Sequence, residues 1–291
     1  MNLPRSAFAV VVMMLSYTAL SQAAQNASCS FETFSAPNGY TISMIGGVSD
    51  DGTVVGQLMN TKTQEFVAFT RSSSGAFTEY SAPKSITTWM NGTSGTGTNA
   101  GSYQDSSYPE HIHGFQLQSG NFSAVNYPNA VNTWLYGNNM TGGSVGSYSN
   151  SSYVTKGFIL LNGKYTTIGY AGAQTTNAIA VNDNKQVVGS YSSGVVDNGF
   201  SWQSGKFTTI NYPNSKYGTV LTGVNNSGVI VGNHLSAEKS SGFVYENGAF
   251  KGIVYAGAKF ASAGGVNNNG LISGEIFFSS SNIMGYTATC K

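Results

Sequence analysis

A ten-residue pattern recurs six times along this chain, and it dictates the fold class before any propensity is weighed. In its clearest form it reads Gly223-Val224-Asn225-Asn226-Ser227-Gly228-Val229-Ile230-Val231-Gly232. Its relatives open at Gly47, Gly92, Gly137, Ala180 and Gly265, and close on Gly56, Gly101, Gly146, Gly189 and Gly274. The closing glycines follow one another at 45, 45, 43, 43 and 42 residues. Insertion-free repeats of that length, each with several short strands, are the signature of propeller blades.

Each unit divides into four predicted strands. Strand a runs into the Val-Asn pair, as in Thr219 to Asn225, and a turn rich in Asn, Asp and Gly follows. Such residues tolerate positive φ. Strand b carries the Val-Ile-Val-Gly run. Strand c holds a small residue and an aromatic, as in Gly114-Phe115, Gly157-Phe158, Gly199-Phe200 and Gly242-Phe243. Strand d is of the Phe207-Thr208-Thr209-Ile210 kind, joined to c by Ser119-Gly120, Asn162-Gly163, Ser204-Gly205 or Asn247-Gly248. These are hairpin dipeptides. The small residue before Val-Asn fits a position where inner strands converge on an axis and a bulky side chain would collide.

The ends of the chain complete one another. Phe31 to Pro37 matches a strand d that has no preceding a, b and c, and Gly285-Tyr286 matches the start of a strand c with no following d. Joined, they make a sixth blade with the N-terminal strand outermost. In blades two to five the strand c and strand d aromatics stand seven apart, with the turn dipeptide fourth and fifth between them. Counting from Tyr286 the fourth position is Cys290, and counting back from Phe31 the fifth is Cys29. A Cys29–Cys290 disulfide therefore stands in for the missing turn, and a closed six-bladed all-β propeller of four-stranded blades is expected.

The rest of the chain agrees. Arg5, the apolar run Ala7 to Leu20 and the small residues of Ser21-Gln22-Ala23 read as a signal peptide over 1–23, leaving one domain over 24–291. The apolar run is short for a membrane span, and no transmembrane segment is expected in the mature chain. Secretion to the outside or the periplasm suits the two cysteines, which meet an oxidising compartment there. Signal removal takes one of 13 basic residues against 12 acidic ones, so the mature chain is neutral. With 9% charged residues it has no basic face for phosphates, and nucleic acid is not an expected partner.

The pattern Gly-Val-Asn-Asn-x-Gly-x-Ile-Val-Gly, followed by His113-Gly114-Phe115 and by Phe207-Thr208-Thr209-Ile210-Asn211-Tyr212-Pro213, resembles the bacterial extracellular repeats called the HAF family. The resemblance spans essentially the whole mature chain. It implies a secreted repeat protein and carries no activity with it.

No phosphate loop or dinucleotide fingerprint is present. The carboxylates, Glu275 among them, are scattered over the repeats. Asp50-Asp51-Gly52 and Asn182-Asp183-Asn184 occupy turn positions and offer too few carboxylates for calcium, so neither metal nor other cofactor is expected. The informative features are departures from the repeat. Three residues before the small residue of strand a stand Met44, Trp89, Trp134, Asn177, Val220 and Ser262, and Tyr136 lies beside one tryptophan. The longest b-to-c loop, Gln104 to Glu110, carries Tyr108 and Glu110 next to His111. Aromatic faces among polar groups suit sugars or a partner's side chains. The sequence thus points to a monomeric binding module for a glycan or protein, using Trp89, Trp134, Tyr136, Tyr108, Glu110 and His111. The alternative is a hydrolase or lyase at the propeller mouth, with Glu110 and His111 as the titratable pair.

Overall fold

The computed structural model describes residues 25–95, 97–151, 154–235, 240–279 and 282–291. The predicted signal peptide lies outside them. Among the described residues every regular element is a β-strand, and no helix is long and apolar enough to cross a membrane. The protein is an all-β propeller.

Antiparallel pairing gathers the strands into four-stranded meanders. The fifth is typical: Thr219–Val224, Ile230–Leu235, Ser240–Glu246 and Ala249–Gly252, running outward as strands a to d. Among the described residues, six such sets follow round the axis. The six inner strands touch in sequence, and that of the last set, Phe260–Val266, returns to that of the first, Tyr40–Val48. Each inner strand carries a register shift at its small residue, as between Leu221 and Gly223 and between Ala263 and Gly265. A bulge there bends the strand and sharpens its twist.

Convergence of the inner strands explains the small residue. A Cβ on Gly92 would stand 2.9 Å from Gly137 Cα, one on Gly223 3.0 Å from Gly265 Cα, and one on Gly265 2.9 Å from Gly47 Cα. The closing glycines are fixed by packing too. At Gly56 an added methyl would meet the ring of Phe69 at 2.7 Å, and at Gly274 it would meet Tyr286 at 2.6 Å. These rings, with Phe115, Phe158, Phe200 and Phe243, are fully buried between neighbouring sheets. The c-to-d dipeptides have positive φ at both residues, 51° and 81° at Asn247-Gly248 for instance, as a type I′ turn requires.

Closure follows the predicted register. Cys29–Phe34 is the outermost strand of the sixth set and pairs antiparallel with Asn282–Cys290, Phe31 opposite Ala288 and Cys29 opposite Cys290. The two cysteines form a disulfide. Arg71 of the first set clasps the incoming strand, its guanidinium 4.3 Å from the Phe34 ring centre and 3.7 Å from Glu32. One pairing had no sequence signal: Gln25–Asn26 adds a short parallel strand outside Ala249–Gly252.

Neighbouring sets are also laced together at the axis and the rim. Asn139 Nδ2 donates to Asn182 O, Asn182 to Asn225 O, Asn225 to Asn267 O and Asn267 to Ser49 O, at 2.8–3.1 Å. At the rim, the tyrosine that follows strand d in three of the sets stacks on strand b of the next. Tyr127 lies 3.6 Å from Tyr148, Tyr170 3.6 Å from Tyr191, and Tyr212 4.2 Å from His234. His234 is thereby a packing residue.

Candidate functional site

The ring of small residues pinches the axis, and on one side of it the strands diverge around a cavity of about 690 Å³. That size falls within the roughly 300–1,000 Å³ of small-molecule clefts. The cavity reaches the first residue of Phe260–Val266 and of the third strand Asp197–Gln203, so it opens on the face of the d-to-a and b-to-c loops. Its wall alternates between apolar and polar groups. Ile45, Ile179 and Val220 mix with Asn91, Asn177 and Thr222, and Phe260 stacks on Phe277 with ring centres 4.3 Å apart.

Of the residues picked from sequence, Tyr136 lines this cavity, and burial pushes its phenol up to about 12. Trp89 and Trp134 occupy the repeat position that Met44, Asn177, Val220 and Ser262 use to line the cavity, yet are themselves half-buried outside the lining. Tyr108, Glu110 and His111 form a separate cluster in the loop that joins the second and third strands of the second set. Tyr108 stacks on His111 at 5.4 Å, and His111 Nε2 is 3.9 Å from Glu110. Asp105 braces that loop by accepting from Ser107 N at 2.6 Å and Tyr108 N at 3.3 Å. These backbone donors hold the Asp105 carboxyl below its ordinary range. None of the three lines the axial cavity.

Besides Tyr136, the ionisable groups lining the cavity among the described residues are two carboxylates. Glu275 accepts from Ile45 N at 2.6 Å through Oε1 and from Ser262 Oγ at 3.2 Å through Oε2. Its burial outweighs those bonds and pushes its pKa up to about 6. Asp197, also in the lining, is raised by desolvation. From sequence, Glu275 is only one of the scattered carboxylates. Aligning the residue after each closing glycine singles it out: Gln57, Ser102, Ser147, Ser190 and Asn233 are neutral, and Glu275 is not.

On the opposite side of the pinch the turns enclose about 60 Å³. Asp183 there accepts from Met140 N, and Asp50 from Asn268 N, both at 2.9 Å. Their carboxylates serve as turn-to-turn links.

No family model matches the chain, and no curated protein matches it by sequence. Solved structures share its fold at low identity. Virginiamycin B lyase from Staphylococcus aureus superposes with a TM-score of 0.51 at 11% identity, covering 91% of this chain and 99% of that one. The fucose-specific lectin from Aleuria aurantia gives 0.52 at 11% identity, with 90% and 91% covered. The β-propeller domain of the trilobed protease from Pyrococcus furiosus, described as having an open velcro topology, gives 0.50 at 11%, with 84% and 81% covered. At such identity the likeness is one of fold, and the chain is similar to propellers that bind and to propellers that catalyse.

Proposed function

We propose that this chain is a secreted, single-domain, monomeric six-bladed propeller of the HAF repeat type that binds a glycan in its axial cavity. Secretion to the exterior or the periplasm is in keeping with the disulfide. The observation that carries the binding reading is the wall of the cavity. Aromatic and aliphatic surface from Phe260, Phe277, Tyr136 and Val220 lies beside the amides of Asn91 and Asn177. A sugar offers the same alternation, an apolar ring face edged with hydroxyls, and aromatic side chains with a few placed polar groups are how proteins hold it. Trp89 and Trp134 stand at the same depth of neighbouring inner strands and are assigned to the rim that a longer glycan would cross. A glycan array compares the wild type with Tyr136→Ala and with Trp89→Ala/Trp134→Ala. Loss of signal in the first variant locates the site in the cavity, and loss in the second extends it to the rim. Unchanged binding by both removes these residues from the site.

One observation favours a second reading. A carboxyl held near pH 6 inside a cavity suits general acid or base work near neutrality, the requirement of a hydrolase or lyase acting on a polysaccharide or lactone. Glu275 then takes the role that sequence reasoning assigns to Glu110 and His111. Product release from a polysaccharide panel that stops in Glu275→Gln supports this reading, and a panel left intact by the wild type retires it.

A further inference from the structure

Of the residues that follow the closing glycines, Gln57, Ser102, Ser147, Asn233 and Glu275 reach from the second strand of one set to the inner strand of the next. Asn233 shows the neutral solution, with Oδ1 accepting from Ala263 N and Nδ2 donating to Ala263 O, both at 2.9 Å. Ser102 does it with a hydroxyl that accepts from Leu135 N at 3.0 Å. Glu275 occupies the same place where the last set meets the first, and accepts from Ile45 N in the same way. A carboxylate, however, has no proton to return to a facing carbonyl. Its second oxygen turns to the Ser262 hydroxyl instead, and the group becomes part of the cavity wall. Two of its roughly four acceptor positions are filled.

A carboxylate taken out of water is ordinarily stabilised by a cationic partner. Among the described residues lining the cavity there is no Lys, Arg or His, and the second carboxylate, Asp197, adds to the negative charge. Burial of the carboxyl raises its pKa. The cavity is therefore anionic and walled in part by the aromatic rings of Phe260, Phe277 and Tyr136, which also attract cations through their faces. A neutral ligand leaves that charge uncompensated, whereas an ammonium group supplies both the missing charge and donors for the open acceptor positions.

We propose that the axial cavity selects a ligand presenting a protonated amine to Glu275. Resting on the glycan reading above, this makes the ligand an amino sugar with its nitrogen free. The test is titration calorimetry near neutral pH with three β-1,4-linked disaccharides: of glucosamine, of N-acetylglucosamine and of glucose. The glucosamine disaccharide binds the wild type tighter than the two neutral sugars by about tenfold or more, the scale of a charge-assisted hydrogen bond. In Glu275→Gln, which has nearly the same shape, that preference collapses, while binding of the neutral sugars shows that the variant is folded. Equal affinity of all three for the wild type, or an amine preference that survives in Glu275→Gln, overturns the amine proposal and leaves the glycan reading standing. Failure of all three sugars to bind overturns both.

Discussion

Cys29 and Cys290, 261 positions apart in sequence, are direct partners in the outermost strand pair of the last sheet, with Cα atoms 4.0 Å apart. Their neighbours Ser28 and Lys291 exchange backbone hydrogen bonds at 3.2 and 2.9 Å, so the pairing runs on past the bridge. A cross-link enclosing nearly the whole described chain chiefly restricts the unfolded state and is worth up to about 5 kcal/mol from chain entropy. Cys29→Ser/Cys290→Ser is expected to keep its near-ultraviolet circular dichroism, because Arg71 and the strand pairing still hold the N-terminal strand. It should unfold at a clearly lower urea concentration. Equal midpoints for variant and wild type would show that the bridge adds nothing to closure.

The asparagine relay at the narrow end gives a second expectation. Asn225 is 4% exposed, donates to Asn267 O at 3.1 Å, and accepts from Ser227 N and Val229 N at 3.1 and 3.0 Å. Asn225→Ala strands a buried carbonyl and two N–H groups, at a cost of about 2–3 kcal/mol or more. Asn225→Asp keeps the two accepted bonds and loses only the donor to the next set, so it should fall between Ala and the wild type. Urea denaturation of the three proteins ranks them.

Glu275 contributes a pH dependence of its own. The folded chain holds its proton up to about pH 6, whereas the ordinary carboxyl releases it at 4.5. Between those values folding is coupled to proton uptake, so stability falls as pH rises through the window. Glu275→Gln removes this dependence. The variant should therefore match the wild type below pH 4.5 and exceed it by about 2 kcal/mol above pH 6, the equivalent of the displaced titration. Thermal unfolding across pH 4 to 8 checks it, and a constant difference at every pH would contradict it.

The fold is legible in the sequence because each blade repeats the same local demands. Closing glycines under an aromatic ring, Val-Asn pairs and I′ dipeptides recur in register, and the cysteines can be counted into the place of a turn. The site is less so. Trp89 and Trp134 sit where four other blades line the cavity, but their side chains are not in its lining. Position in a repeat gives a residue's depth along the axis and not whether it reaches the cavity. Tyr108, Glu110 and His111 are neighbours in one loop, as their spacing implies, but that loop lies away from the cavity lining. Glu275 is hidden because its significance is a contrast of charge with five neutral counterparts, and because Ile45, its partner, lies 230 residues away. The rim stacks of Tyr127, Tyr170 and Tyr212 escape notice for the same reason, since each meets its partner on the next blade.

The most direct measurement is a carbon-13 NMR titration of the glutamate side-chain carboxyls in the wild type and in Glu275→Gln. One resonance with a midpoint near pH 6 is expected in the wild type and is missing from the variant. If every glutamate of the wild type titrates near the ordinary value, Glu275 does not sit in a buried, cation-free wall, and the binding site built on it falls.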